Sequence, residues 1–317
     1  MSKLSNIQGR AYEYIWLITL EEEISKHRKV AVENNSAYIA AKNAWNSLNK
    51  TLTANYKISA LAAVETIFNL EPLICEENND TLTLKIQTDE AGKTGDVRDV
   101  LIIRCGIKWE IGLSLKHNHF AVKHSRLSKG NDFGKKWYGI NCSNEYWNEI
   151  EPIFSYLQDE KEKGSKWSNL PSKEQDVYIP LLNAFINEIH RSNKICNSVP
   201  MKMVEYLLGQ FDFYKIVGIG SKKITQIQTF NLRGTLNQKG YKSRPKETIP
   251  IANLPTRIVD ICFKPNSLNT VELFLDGGWQ FSFRIHNAST KIETSLKFDI
   301  QLIGAPLSIH SLNCKWL

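Results

Sequence analysis

No run of about 18 apolar residues occurs in the 317-residue chain, so no membrane-spanning helix is expected. The opening residues, MSKLSNIQGRAYEY, lack the apolar core and small-residue cleavage site of a signal peptide. The six cysteines, at 75, 105, 142, 196, 262 and 314, include no CxxC pair. Their scatter argues against a zinc ribbon or a disulfide scaffold and suits free thiols in a reducing cytoplasm. Glycine-rich cofactor loops followed by an acid are missing too, which disfavours a cofactor-dependent methyltransferase. GIGSKK at 218–223 lacks the GKS or GKT ending of a nucleotide-binding loop, so ATP is not expected there. As a glycine turn with Lys222 and Lys223, it suits a phosphate held by backbone N–H groups. No internal repeat or low-complexity segment stands out.

What the chain does have is positive charge in blocks. The net charge is +7. Residues 116–136 hold six Lys or Arg against one acid, and residues 215–247 hold eight against one. Aromatic and glycine residues are interleaved in both, as in WYG after Lys135 and Lys136. A charge run usually means a solvated face. Two such blocks with interleaved aromatics raise nucleic acid as a partner above that bland alternative.

The periodicity predicts helices over 8–27, 36–48 and 57–70, the third stopped by Pro72. A strand follows at 80–89, then two more within 95–116. A further helix is expected around 119–129, and others at about 144–162 and 174–193. From 211 onward the pattern is β: FYKIVGIG, KKITQIQTFNL, RIVDICFKP, TVELFLDG, GWQFSFRIHN and SLKFDIQLIG. Asp276-Gly277-Gly278 marks a hairpin turn. The fold class is therefore α/β or α+β, a mixed sheet flanked by helices with a β-rich C-terminal part. A boundary near residue 200 separates a core of 1–200 from a β-rich region of 201–317.

The chemistry concentrates in GDVRDVLIIRCGIKWEIGLSLKHNHFAVKHSRLS, residues 95–128. Gly106-Ile107 fits a type II′ hairpin turn, which makes the numbers of facing residues sum to 213 and sets Asp99 opposite Ser114. Alternation puts Glu110, Gly112, Ser114 and Lys116 on one face and Ile111, Leu113 and Leu115 on the other. Asp99, Ser114 and Lys116 then gather at the open end. A carboxylate and a lysine at the end of a buried hairpin suggest a metal-dependent phosphodiesterase, in which Asp99 and the Leu115 carbonyl offer hard oxygens to Mg²⁺. His117-Asn118-His119 spells HNH only by coincidence, since HNH nucleases place those residues far apart. His117, His119 and His124 have no thiolate or carboxylate nearby to complete a zinc site. With Lys123, Ser125 and Arg126 they are read as phosphate contacts, against a surface-polarity alternative of equal weight.

Asp99 heading one strand, with Ser114-Leu115-Lys116 ending the next, resembles the PD-(D/E)xK nuclease core. Ser114 departs from it, because the family usually has Asp or Glu there. Some members recruit a glutamate from a preceding helix. Glu65 is the first candidate, with Glu13 and Glu71 after it. Glu110 shares the strand face but lies about 20 Å from the Lys116 end at ~3.3 Å per residue. Glu13, set among apolar neighbours, is otherwise a partner for Arg10.

NIQGRAYEYIWL, GDVRDV, WEIGLSLKHNHFAVKHSRLS, GGWQFSFRIHNAS and SLKFDIQLIG together are similar to the HaeIII-type restriction endonucleases, over about residues 7–303. That resemblance implies Mg²⁺-dependent cutting of double-stranded DNA at GGCC to leave blunt ends, with a DNA methyltransferase as genetic partner. A palindromic target suits a homodimer, and a monomer cutting the strands in turn is the alternative. Guanine edges are read by Arg or Lys donors. Arg233, Lys239, Tyr241, Lys242 and Arg244 in residues 231–246 are the candidates, with Arg284 in FSFRIHN, for which a salt bridge is the bland reading. A nuclease of other specificity and a non-catalytic DNA-binding module remain as rivals.

Overall fold

The computed structural model describes residues 3–88, 90, 95–118 and 121–317, without the side chains of Lys3, Ala121 and His124. The expected helix and hairpin at His119 and Phe120 fall partly outside these residues. The contacts divide the chain into two units, 1–120 with 209–252 and 307–317, and 121–208 with 253–306. The boundary therefore does not fall at residue 200. The strand pairing explains why: β6 (Phe213–Ile219) lies parallel to β4 (Trp109–His117), which ties the chain after 209 into the N-terminal sheet.

The first unit is built on a seven-stranded mixed sheet in the order β1-β2-β3-β4-β6-β7-β12. Its other strands are β1 (Val30–Val32), β2 (Leu82–Ile86), β3 (Val100–Arg104), β7 (Ile224–Phe230) and β12 (Ser311–Lys315). Only the β1–β2 and β4–β6 pairings are parallel among the described residues. Three helices, α1 (Lys3–Ile24), α2 (Ser36–Asn46) and α3 (Lys50–Leu70), pack on one face. The sequence sets their ends. Asn35 and Asn49 accept the N–H groups of Tyr38 and Leu52 as N-caps, and Pro72 follows the last turn of α3. Their apolar sides meet Ile111, Leu113, Leu115, Tyr214 and Ile216 in one core.

The β3–β4 hairpin keeps the expected register, with Val100 facing Leu113 and Arg104 facing Trp109. Its turn is different. Cys105–Ile107 form a short 3-10 turn and Lys108 takes the left-handed conformation at φ 53°, so this is a four-residue loop and not a Gly-first type II′ turn. Both loops are centred between Gly106 and Ile107, which is why the register survives.

The second unit carries a five-stranded antiparallel sheet in the order β5-β11-β10-β9-β8, where β8 is Ile258–Phe263, β9 is Thr270–Leu275 and β10 is Gln280–His286. Residues Ala121–Ser128 form strand β5, not the expected helix, because they pair with β11 (Ser295–Gly304) from Ser128↔Ser295 to Ala121↔Gln301. Non-local ladder hydrogen bonds and the burial of Leu127 override the local pattern. Trp137, Phe185, Phe283 and Phe298 form its aromatic centre. Among the described residues, no helix is long and apolar enough to cross a membrane.

Candidate active site

At the open end of the hairpin, Asp99 precedes β3 and donates its N–H to the Leu113 carbonyl, so the extended pairing carries on past Val100 and sets Asp99 against Ser114. Its Oδ2 accepts the Leu115 N–H at 2.6 Å and the Lys116 ammonium at 2.9 Å, with the Ser114 hydroxyl at 3.5 Å. The alternation of β4 does this: Leu113 and Leu115 are buried in the core, while Ser114 and Lys116 point to the opposite face. Gly112 shares that face, and a Cβ there would lie 2.1 Å from the Arg98 side chain, which crosses over it to reach Glu110 at 2.9 Å. Burial lowers the proton affinity of Lys116, but the negative charges of Asp99 and Glu13 outweigh it and hold the ammonium above its usual value.

Glutamate placement revises the expectation for the vacancy at Ser114. Glu13 on α1 is the glutamate whose charge acts on Lys116. Glu65 is exposed on α3, and its charge is felt by the Cys75 thiol. Glu71 is fully buried and accepts the Tyr214 hydroxyl and the Asn237 N–H. Glu110 is held by Arg98. Of the four candidates, only Glu13 acts on the Asp99–Lys116 pair.

Sequence reasoning missed Lys215. It stands directly beside Ser114 in the parallel β4–β6 register and is 4% exposed. Burial, and then the like charge of Lys116, bring its ammonium down to about 8. Strand pairing across about one hundred residues brings it here, and FYKIVGIG alone gives no signal of that.

Among the described residues no group of three His, Cys, Asp or Glu side chains could hold a metal ion. The oxygens that are present suit a hard cation. Asp99 Oδ1 makes no hydrogen bond among the described residues, and the Leu115 carbonyl lies on the same edge of β4 as that of Leu113, past the end of β3. One carboxylate, one carbonyl and water are the usual surroundings of Mg²⁺.

Several expected DNA contacts already have partners within the protein. His117 packs on Tyr56 and Tyr12 at 4.5 and 5.7 Å between ring centroids, and burial lowers its proton affinity. The Lys123 ammonium donates to the Tyr206 carbonyl and sits 3.7 Å above that ring, and burial draws it down to about 8. Arg126 reaches Glu293 and the Ser295 carbonyl, and Arg284 pairs with Asp299. Lys135 and Lys136 are exposed on the helix Phe133–Tyr138, Lys136 bonded to Asn131. Lys222 and Lys223 are exposed in the β6–β7 turn, where the Gly220 N–H already donates to Asn118.

The basic loop 231–246 keeps its cations outside: Arg233, Lys239, Lys242 and Arg244 are exposed and Tyr241 is 94% exposed. Three carboxylates, none foreseen, hold its backbone. Asp212 accepts the N–H groups of Leu232, Arg233 and Thr235, Glu71 that of Asn237, and Glu76 those of Tyr241, Lys242 and Ser243. A cleft of about 710 Å³ opens between this loop and the turn end of the hairpin, and Asp99, Ser114 and Lys116 do not line it.

Residues 9–306 match the family model of the HaeIII restriction endonuclease. The chain belongs to the HaeIII restriction endonuclease family. It is 53% identical over 317 residues to the type II restriction enzyme HaeIII of Haemophilus aegyptius, covering 100% of this chain and 99% of the relative. No solved structure matches it.

Proposed function

We propose that this chain is a type II restriction endonuclease that hydrolyses double-stranded DNA at GGCC, between the central G and C, with Mg²⁺. The full-length similarity supports the site-specific nuclease activity, and the single observation that carries the active-site reading is Asp99 Oδ2 held 2.9 Å from the Lys116 ammonium at the hairpin's open end. Asp99 and the Leu115 carbonyl hold the ion, with Glu13 supplying the carboxylate that Ser114 does not. Bound there, Mg²⁺ supplies Lewis acidity at the scissile phosphate and lowers the pKa of water. Lys116 orients the attacking water and offsets charge that develops on the phosphate. Ser114, small and nearly buried, keeps that face open beside Lys215.

DNA is held by the exposed cations of the two basic blocks, Lys135, Lys136, Lys222 and Lys223 among them, and the bases are read from loop 231–246. A cognate methyltransferase protects the host's own sites, the enzyme works in the cytoplasm, and the two-fold symmetry of the target suits a homodimer. Asp99→Ala and Lys116→Ala are expected to abolish Mg²⁺-dependent cutting of a plasmid while DNA binding persists. Full cutting by either purified variant overturns the active-site assignment, and sequencing the ends of a wild-type digest tests GGCC and the blunt cut.

A further inference from the structure

Tyr241 is the most exposed aromatic side chain among the described residues, at 94%. A tyrosine on an ordinary surface lays part of its ring along its own protein, because the ring is mostly apolar. Here the ring stands clear while the backbone beneath it is pinned. Glu76 accepts the N–H groups of Tyr241, Lys242 and Ser243 at 3.0, 3.2 and 3.1 Å, and the Ser243 hydroxyl as well. Successive N–H groups converging on one anion form a nest. Burial opposes ionisation of Glu76, but the Ser243 hydroxyl and the three peptide donors outweigh it and hold the carboxyl below its usual value. Gly240 leaves room for this arrangement, since a Cβ there would fall 1.8 Å from the Glu76 carboxylate. The next anchor is Asn237, whose side chain donates to the carbonyls of Leu70 and Glu247.

A ring placed in solvent on a fixed backbone, among Lys239, Lys242 and Arg244, has the properties of a base-stacking group. Its ordering entropy is already spent before a ligand arrives, and the flanking cations face a polyanion. We infer that Tyr241 stacks on, or wedges beside, a base of the target duplex, and that the Glu76 nest exists to aim it. This deepens the proposed reading of DNA by loop 231–246 and rests on it. Stacking acts through the face of the ring, so the hydroxyl is dispensable.

The test uses the full chain with Ca²⁺ in place of Mg²⁺ to prevent cutting. Fluorescent duplexes carry pyrrolocytosine within GGCC or 2-aminopurine beside it, with a scrambled duplex as control. Wild type is expected to bind the GGCC duplex in preference and to raise the probe fluorescence by unstacking. Tyr241→Phe should do the same. Tyr241→Ala, with an unchanged melting temperature, should bind about fivefold to 150-fold more weakly, the range known for one aromatic–base stack, and should lose the fluorescence rise. If wild type prefers GGCC while Tyr241→Ala binds and signals as wild type does, the stacking role alone falls. It also falls if Tyr241→Phe loses as much as Tyr241→Ala, which would assign the contact to the hydroxyl. If wild type shows no preference for GGCC over the scrambled duplex, the specificity reading falls and this inference falls with it.

Discussion

Ser114 and Lys215 stand side by side in the register of β4 and β6, on the face that carries Asp99 and Lys116. A serine where the PD-(D/E)xK pattern has a carboxylate is therefore not a plain deletion, because a cation adjoins the place where that carboxylate would be.

Restoring the acid tests this arrangement. Ser114→Asp would put a second carboxylate beside Asp99, whose Oδ2 is 3.5 Å from the present hydroxyl. Like charges facing one another cost about 1 kcal/mol, offset by Lys116 and Lys215. The variant should fold, melt slightly lower than wild type without divalent ions, and recover on adding Mg²⁺. Half-maximal cleavage should need on the order of tenfold less Mg²⁺, since an added unit of charge beside a divalent ion contributes at least that much. A Mg²⁺ requirement equal to wild type's would show that position 114 does not face the ion.

Glu13 and Glu65 make opposite predictions. Glu13 acts electrostatically on Lys116, while Glu65 is exposed on α3 and its charge is felt by the Cys75 thiol instead. Glu13→Gln is expected to lower the cleavage rate about 10- to 100-fold, the usual loss when a partner of a metal site is removed. Glu65→Gln should cut within about twofold of wild type. Single-turnover cleavage of a short GGCC duplex at saturating enzyme reads both. Wild-type rates in Glu13→Gln together with a large loss in Glu65→Gln would reverse the assignment.

Gly240→Ala asks whether the loop must be aimed as well as charged. The added methyl would meet the Glu76 carboxylate and expel it from the nest, releasing the N–H groups of Tyr241 to Ser243. No charge or side chain of the loop is lost. The expected result is weaker binding to GGCC, to about the level of Tyr241→Ala, with binding to a scrambled duplex nearly unchanged. A uniform loss on both duplexes would point to general damage instead.

The hairpin was legible in the sequence because two kinds of information agreed there. Strict alternation in EIGLSLK fixed the faces, and the turn's centre fixed the register, so Asp99, Ser114 and Lys116 come together as expected. The helices at 36–48 and 144–162 were legible from their periodicity. Strand β5 was not, because AVKHSRLS carries no clean alternation and its partner lies about 170 residues later. The three-residue β1 and the five-residue β12 are too short for a periodic signal. The unit boundaries, Lys215 and the nearness of Glu13 to Lys116 all follow from non-local pairing and packing, which no local window contains. The same holds for Asp212, Glu71 and Glu76, whose roles are defined only by the loop that wraps them.

Glu71 links that loop to the sheet and should leave a mark on the pH dependence of stability. Its Oε1 accepts the Asn237 N–H and the Tyr214 hydroxyl, while Oε2 is buried with no partner among the described residues. Burial outweighs the hydrogen bonds that favour ionisation and raises the carboxyl from 4.5 to about 7. The folded state thus holds this proton more tightly than the unfolded chain does. Stability from the protonated group is fully present below pH 4.5 and is lost as the pH rises towards about 7. The full swing is on the order of 3 kcal/mol. Glu71→Gln cannot titrate and keeps a neutral group of the same shape. Urea unfolding of both proteins between pH 4.5 and 8 should show wild-type stability falling relative to Glu71→Gln up to about pH 7 and then running parallel to it. A constant offset across the range would mean that Glu71 is already ionised in the fold at pH 4.5, with its two donors sufficient to hold the charge.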